Sequence, residues 1–372
     1  MNMPSFYQDE LFQALVATRR LDVRVIYDHP LTADRHELGW TEHCSGYDLQ
    51  ILSPPAKLLQ ALRVVRNDHG RLHVINGIWA EPVFAAVAIA LGISRGRFAI
   101  YAEAPDETEP RSRMKRYARY ALGQWIAHRA VGMLAVSHYA ADFYRALGFV
   151  ADQIYPFGYF RNTTFSPTMT RSRAALDIVF VGRFVHRKGT DILLEAMLPV
   201  FEEFPTLRLS MIGDGPEFDN LTTIARDAGV HDRVVFEGVL SARQMHSRLT
   251  CSDLLVLPSR WDGWGLVVNE ALCAGIPVIV SDRCGAADLV RNGVNGYVFC
   301  SENVRDLRRC IRLALSNNRA PLRRNAAETG SALALPVIAE YVTRCLEHMA
   351  GMRPNRPTPP WSTVLSNLEA GR

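Results

Sequence analysis

Short apolar runs of strand length alternate with helical stretches along most of this chain, and that alternation leaves few folds open. In the first half the runs are Val23-Arg-Val-Ile-Tyr27, Leu72-His-Val-Ile75, Phe98-Ala-Ile-Tyr101 and Met133-Leu-Ala-Val136. In the second half they cover 177–181, 207–212, 234–236, 254–257 and 278–280. Helical patterns lie between them, notably over 81–91, 113–131, 190–203, 216–228, 242–249 and 266–274. A parallel strand covered on both faces is apolar nearly throughout, because helices bury each side of the sheet. The spacing therefore predicts an α/β chain with two doubly wound parallel sheets, one in each half. The Thr-, Ser- and Arg-rich stretch 159–172 reads as the connection between them. One more amphipathic helix follows Leu335-Pro336 to about residue 350. The tail beyond it, with prolines at 354, 357, 359 and 360, is expected to be disordered.

The second half carries glycine turns at the ends of its strands, where a doubly wound sheet opens its ligand crevice. Strand 177–181 runs into Gly182-Arg-Phe-Val-His-Arg-Lys-Gly189, with Arg183 and Lys188 five residues apart across the loop. Two such cations can clamp a diphosphate, although an isolated basic pair in a loop is ordinarily only solvated. Strand 207–212 ends in Gly213-Asp-Gly-Pro216, where Gly213 and Gly215 let the backbone approach a ligand closely. The strand 254–257 leads to Asp262-Gly-Trp-Gly265 and an apolar helix that closes at Gly275. A strand, a glycine turn and a helix start bind anions through free N–H groups and the helix dipole. Asp262 sits at that turn, and Glu270, a little over one turn into the helix, would be an odd core residue if unpartnered.

Composition excludes little. The apolar fraction is 48%, the charged fraction 22% and the net charge +4, so there is no global polyanion-binding signature and nucleic acid is not an expected partner. Seven scattered cysteines without a C-x-x-C pair read as reduced thiols in a cytoplasmic protein. The start carries Asp9 and Glu10 without an apolar core, unlike a signal peptide, and the longest apolar run, 82–93, is too short to span a bilayer. No Asp-x-Asp triplet occurs, so no metal site is expected, and no cofactor beyond the substrate itself.

The ordered series Val181-Gly-Arg-Phe-x-x-x-Lys-Gly189, Ile212-Gly-Asp-Gly-Pro216, Phe236-x-Gly238, Leu257-Pro-Ser259, Asp262-x7-Glu270 and Ala274-Gly-Ile-Pro-Val-Ile279 resembles the donor-binding domain of family 4 (group 1) glycosyltransferases. The resemblance is close over 177–300 and looser over the first half, at Asn76-Gly-Ile-Trp79 and Tyr155-Pro-Phe-Gly-Tyr-Phe160. It implies the GT-B fold, two Rossmann-like domains facing across a cleft, with a C-terminal helix crossing back to the first. The expected division is an acceptor-side domain over 1–160, a nucleotide-sugar domain over 161–335, a crossover helix over 336–350 and a tail over 351–372.

The resemblance also implies a retaining, metal-independent hexosyl transfer from a UDP- or GDP-linked sugar to a glycan or lipid-linked acceptor, in cell-surface polysaccharide or glycolipid synthesis. Alternatives on the same fold are a nucleotide-sugar epimerase, a sugar-phosphate synthase or a non-catalytic scaffold subunit. By position, Arg183 and Lys188 would take the donor diphosphate, Asp262 the sugar and Glu270 the ribose. Gly182, Gly213, Gly215 and the backbone at Trp264, Gly265 and Leu266 would approach the donor. The chain departs from the family's Glu-x7-Glu pattern, since its first acid is Asp262, one methylene shorter, and Trp264 replaces the usual Phe.

In the first half, Glu103 ends a strand where relatives carry a His and is a candidate for handling the acceptor hydroxyl. It also begins an acidic run with Asp106, Glu107 and Glu109. His138 is a second candidate, weighed against a plain helix-capping turn. The stretch 111–125 holds five basic residues, no acid and three aromatics, which suits a peripheral contact with anionic lipid or a solvated basic face. The family's first strand has no counterpart. The chain opens in what resembles the following loop, Met3-Pro-Ser-Phe-Tyr-Gln8, so an apolar segment encoded upstream is expected.

Overall fold

A computed structural model describes residues 1–32, 46–79, 81–105, 113–162, 176–316 and 319–371. The chain divides into two compact units, one of Met1–Asn162 with Leu335–Pro359, the other of Thr163–Ala334 with Pro360–Arg372.

Unit 1 runs through α1 (Phe6–Ala17), β1 (Arg24–Tyr27), β2 (Asp48–Ile51), α2 (Lys57–Asn67), β3 (His73–Asn76), α3 (Pro82–Ser94), β4 (Phe98–Ala102), α4 (Arg113–Arg129), β5 (Gly132–Val136), α5 (Ser137–Ala146) and β6 (Ile154–Phe157). Every strand pair is parallel, but there are two sheets, β1-β2 and β3-β4-β5-β6. All residues of β4 and β5 are buried, as their unbroken apolar sequence requires. Phe84, Leu91, Phe98, Ile126, Met133 and Tyr144 form the centre of the core. Strand β2, Asp-Leu-Gln-Ile, is an exposed edge, and its weak pattern is why sequence reading passed over it.

Unit 2 holds β7 (Asp177–Val181), α6 (Thr190–Glu203), β8 (Arg208–Ile212), α7 (Phe218–Asp227), β9 (Val234–Gly238), α8 (Ala242–Thr250), β10 (Leu254–Leu257), α9 (Leu266–Cys273), β11 (Val278–Ser281), β12 (Gly296–Phe299), α10 (Val304–Ser316) and α11 (Arg319–Ala332). These strands form one parallel sheet in the order β12-β11-β10-β7-β8-β9. The chain winds outward from β7 through β8 to β9, then returns to the other side of β7 for β10. The strand order therefore reverses between β7 and β10, and a doubly wound sheet binds its ligands at the carboxyl ends of the strands at that switch point.

The helix at the end of the second half, α12 (Leu335–Met349), belongs to unit 1 and contacts α1. The Tyr341 hydroxyl donates to the Pro156 carbonyl at 2.9 Å, and Arg20 pairs with Glu340 at 2.8 Å and with Glu347. The tail is not disordered as its prolines suggest, and this corrects the expectation for 351–372. Residues Pro360–Ala370 form α13 in unit 2, with Pro360 at the first helical position, where its missing N–H costs nothing. Trp361 and Leu365, four apart on one face, are 3% and 1% exposed, and their burial against α11 outweighs the local proline signal. No helix among the described residues is long and apolar enough to cross a membrane.

Candidate functional site

The loops after β7 and β10 are joined by a dense set of bonds. Gly189 has φ +66°, and a Cβ there would lie 2.2 Å from the Pro258 carbonyl oxygen, so only glycine lets the two loops close up. The Arg260 N–H donates to the Arg187 carbonyl at 2.9 Å, and the Arg187 guanidinium donates to the Trp261 carbonyl at 2.9 Å. Arg260 also donates to the His186 carbonyl at 2.7 Å and forks onto both Asp191 oxygens at 2.9 and 2.7 Å. Burial alone would raise the Asp191 carboxyl, but the bonds and charge of Arg260 outweigh it and hold the group below its ordinary value. Sequence reading missed Arg187 and Arg260; their role lies in contacts that no local spacing encodes.

That closure brings two predicted residues together. Lys188 Nζ lies 2.5 Å from Asp262 Oδ2, with the side chains only 16% and 12% exposed. Lys188 ends a short turn at His186–Lys188, and Asp262 is pinned by its backbone, whose N–H donates to the Arg283 carbonyl and whose carbonyl accepts from Gly285. Arg183 is exposed on the same β7 loop and has no side-chain partner among the described residues. Gly213, after β8, has φ +135°, and a Cβ there would meet the Gly182 carbonyl oxygen at 2.0 Å. The Gly213 N–H donates to the Gly238 carbonyl and the Phe184 N–H to the Asp214 carbonyl, so the loops after β7, β8 and β9 form one rim. Gly215 lies on that rim, half exposed.

Gly265 caps α9, and Leu266 starts it, so the first amides of this helix lack intrahelical acceptors and point out of its end. Glu270 lies half-buried on α9. Trp264 differs from a ligand-facing aromatic: its ring is 2% exposed, and its Nε1 donates to Asn269 Oδ1 at 3.0 Å. Trp264 anchors the turn to the helix, and its indole is turned away from solvent.

In unit 1, Glu103 is exposed at the end of β4 and accepts a short hydrogen bond from the Tyr159 hydroxyl. The Tyr159 ring lies 5.0 Å from Tyr7 and 6.3 Å from Tyr101, and burial pushes the Tyr159 and Tyr101 hydroxyls up from their ordinary value. His138 is exposed in the first turn of α5, its ring 3.9 Å from Tyr139. The residue before it, Ser137, is buried with φ +72°, a conformation that serine adopts at a cost. Of the stretch 111–125, residues 111 and 112 and the side chains of 113–116 lie outside the described residues. Tyr117 and Tyr120 are exposed on α4, whereas Trp125 packs against the core. Asp106, Glu107 and Glu109 also lie outside the described residues. Among the described residues one carboxylate–histidine group close enough to share a cation, Asp28, His29 and Glu81, lies in unit 1, and Lys57 already pairs with Asp28 at 2.8 Å.

Residues 171–332 match the family described as Glycosyl transferases group 1. Over 134 residues the chain is 31% identical to a GDP-mannose-dependent alpha-(1-6)-phosphatidylinositol monomannoside mannosyltransferase of Mycolicibacterium smegmatis, covering 34% of this chain and 35% of that protein. Over 179 residues it is 33% identical to a D-inositol 3-phosphate glycosyltransferase of a Mycobacterium species, covering 44% of this chain and 40% of that one. The matches thus span well under half the length of these relatives. In three dimensions the chain is similar to HepE of Anabaena, solved in complex with UDP and glucose, with a TM-score of 0.66 at 18% identity over 91% of this chain and 95% of that one. The chain therefore carries a domain of the group 1 glycosyl transferases over residues 171–332, within a GT-B fold of two Rossmann-like units.

Proposed function

We propose that the chain moves a sugar from a nucleoside-diphosphate sugar to a hydroxyl of a glycan or lipid-linked acceptor, with retention of configuration, in cell-surface polysaccharide or glycolipid synthesis. The observation that carries this reading is the Lys188–Asp262 pair at the β7/β10 switch point, with unpartnered Arg183 on the same loop. As the bond from the sugar's anomeric carbon to the diphosphate breaks, negative charge grows on the leaving group. A fixed donor aimed at that charge is worth about 3 kcal/mol in the transition state. Arg183 and Lys188 supply it, and the amides at the start of α9 add the partial positive charge of a helix end. When the phosphate engages Lys188, the Asp262 carboxylate is released to the sugar hydroxyls, and Glu270 takes the ribose. The acceptor oxygen bonds the anomeric carbon on the face the diphosphate leaves, and its proton passes to the departing phosphate oxygen. Glu103, braced by Tyr159, orients the acceptor hydroxyl.

A UDP- or GDP-linked donor is supported by the GDP-mannose dependence in the mycobacterial relative's name and the UDP bound to HepE. A lipid-linked acceptor, met at the cytoplasmic face of a membrane, is supported by the phosphatidylinositol in that same name and by exposed Tyr117 and Tyr120 on the basic α4. The absence of an Asp-x-Asp triplet supports a diphosphate held without a metal. The test is release of nucleoside diphosphate from UDP-, GDP- and ADP-sugars with lipid-linked acceptors, with and without EDTA. Turnover of one donor class, unchanged by EDTA, is expected. No release from any donor, together with no thermal shift by UDP or GDP, would replace this reading with a non-catalytic subunit.

A further inference from the structure

We propose that Trp264 and Asn269 are positioning residues: the buried hydrogen bond between their side chains sets where the Asp262 carboxylate stands relative to Glu270. This role rests on the proposed function, in which Asp262 takes the sugar and Glu270 the ribose of one sugar nucleotide. The two side chains act from inside the protein, since Trp264 and Asn269 are only 2% and 3% exposed. What they hold is the joint between a turn and a helix that carry the two acids on either side of it.

By itself that joint is loose. Gly265 caps α9 with φ +95°, and glycine reaches many backbone conformations at no steric cost, so the residue does not fix the angle at which the turn enters the helix. A larger residue has no room there: a Cβ on Gly265 would lie 2.8 Å from Cys284 Sγ and 2.9 Å from Leu257 Cδ2. The same point is 3.7 Å from Asp262 Oδ2, so the carboxylate stands beside the joint. With Gly265 as the cap, Trp264 is the residue before it and Asn269 the fourth residue of α9. In many helices an apolar contact between these two positions fixes the entry angle of the chain. Here Trp264 Nε1 donates to Asn269 Oδ1 at 3.0 Å instead. A hydrogen bond restricts angle as well as distance, whereas apolar burial has no preferred direction.

The main chain of the turn is bound on its other side. The Trp264 carbonyl accepts from the Ala286 N–H at 2.7 Å and from the Cys284 thiol at 3.0 Å. Burial pushes that thiol well above its ordinary value, so it stays protonated and keeps donating. Two residues earlier, the Asp262 N–H donates to the Arg283 carbonyl at 3.0 Å and its carbonyl accepts from the Gly285 N–H at 2.9 Å. Residues 262–264 thus pair in parallel with 283–286, and the indole of Trp264 ties that ribbon to α9. Glu270 follows Asn269 directly and lies half-buried on the same helix. Gripping one ligand at its sugar and its ribose requires the two carboxylates at a set separation before it arrives. A displacement of about 1 Å can lower the rate about a hundredfold.

The experiment compares the full chain with Trp264→Phe, Asn269→Leu and the two combined. It measures melting, calorimetric affinity for UDP or GDP, and affinity and turnover of the sugar nucleotide that the donor screen identifies. Each single change removes the bond and leaves a buried polar group without that partner, whereas the double restores an apolar contact at the two positions. The single variants are expected to lose about tenfold or more in kcat, with affinity for UDP or GDP, which offers no sugar to Asp262, held within about threefold. The double variant is expected to regain most of the lost kcat. A role confined to stability would lower the melting midpoint alone, and that result would overturn the proposal. So would a kcat within about threefold of the parent in either single variant, an equal loss of affinity for nucleoside diphosphate and sugar nucleotide, or a double variant no better than the singles. Should one single variant not melt cooperatively, the other single and the double carry the same comparison. Failure of the proposed function shows in the parent, which would then release no nucleoside diphosphate and take this role down with it; failure of the positioning role alone shows only in the variants.

Discussion

Replacing Lys188 by Met and Asp262 by Asn, singly and together, separates what the pair does for the fold from what it does for chemistry. The two groups are 2.5 Å apart with about seven-eighths of each side chain removed from solvent. Removing one partner of a pair this buried leaves the other charge uncompensated, at a cost of about 3 kcal/mol. For a unit of this size that lowers the melting midpoint by roughly 6–12 °C. Replacing both removes the charges together, and a neutral pair of similar volume returns most of that loss. Activity should not return, because no cation remains at position 188 to meet the departing diphosphate. Loss of about 3 kcal/mol of transition-state stabilisation corresponds to a fall in kcat of at least about a hundredfold. The assays are calorimetric melting and steady-state release of nucleoside diphosphate from the donor that the screen identifies. The reasoning fails if Lys188→Met keeps kcat within fivefold of the parent. It also fails if the stability changes of the two single variants simply add in the double variant, since that would mean no coupling between the groups.

Gly189→Ala should cost the donor site its shape: at φ +66°, with a Cβ 2.2 Å from the Pro258 carbonyl, the β7 loop must move away from the β10 loop. At least a tenfold loss of UDP or GDP affinity by titration calorimetry is expected, and wild-type affinity would show that the loops need not close. The Met1 amine predicts a pH dependence in unit 1. Its value in the fold, about 5, lies below the ordinary 8.0, so the folded chain disfavours the protonated form. The stability it permits is present above pH 8 and is lost as pH falls from 8 through 5, by up to about 4 kcal/mol. N-terminal acetylation should flatten that part of the stability profile; an unchanged slope would refute the assignment.

Much of unit 2 was legible in the sequence because its signals are local. Strand β10 is four apolar residues, α9 follows a Gly-Trp-Gly turn, and Gly189 and Gly213 stand where backbones meet backbones. Such patterns record what each strand, turn and helix start requires of its own residues. The tail misled for the same reason: its prolines are local evidence for disorder, whereas Trp361 and Leu365 are held by α11, some thirty or more residues earlier in the chain.

Alternation of apolar runs with helices determined the α/β class and the parallel sheets, since burial on both faces leaves its mark in every strand. The placing of β10 beside β7 was a tertiary decision, and with it came the pairing of Lys188 with Asp262 across 74 residues, the Arg187 and Arg260 bridges, and the turning of Trp264 into the core. Strand order and side-chain partners are set by which surfaces close over one another, and no residue's own neighbourhood in the chain carries that information.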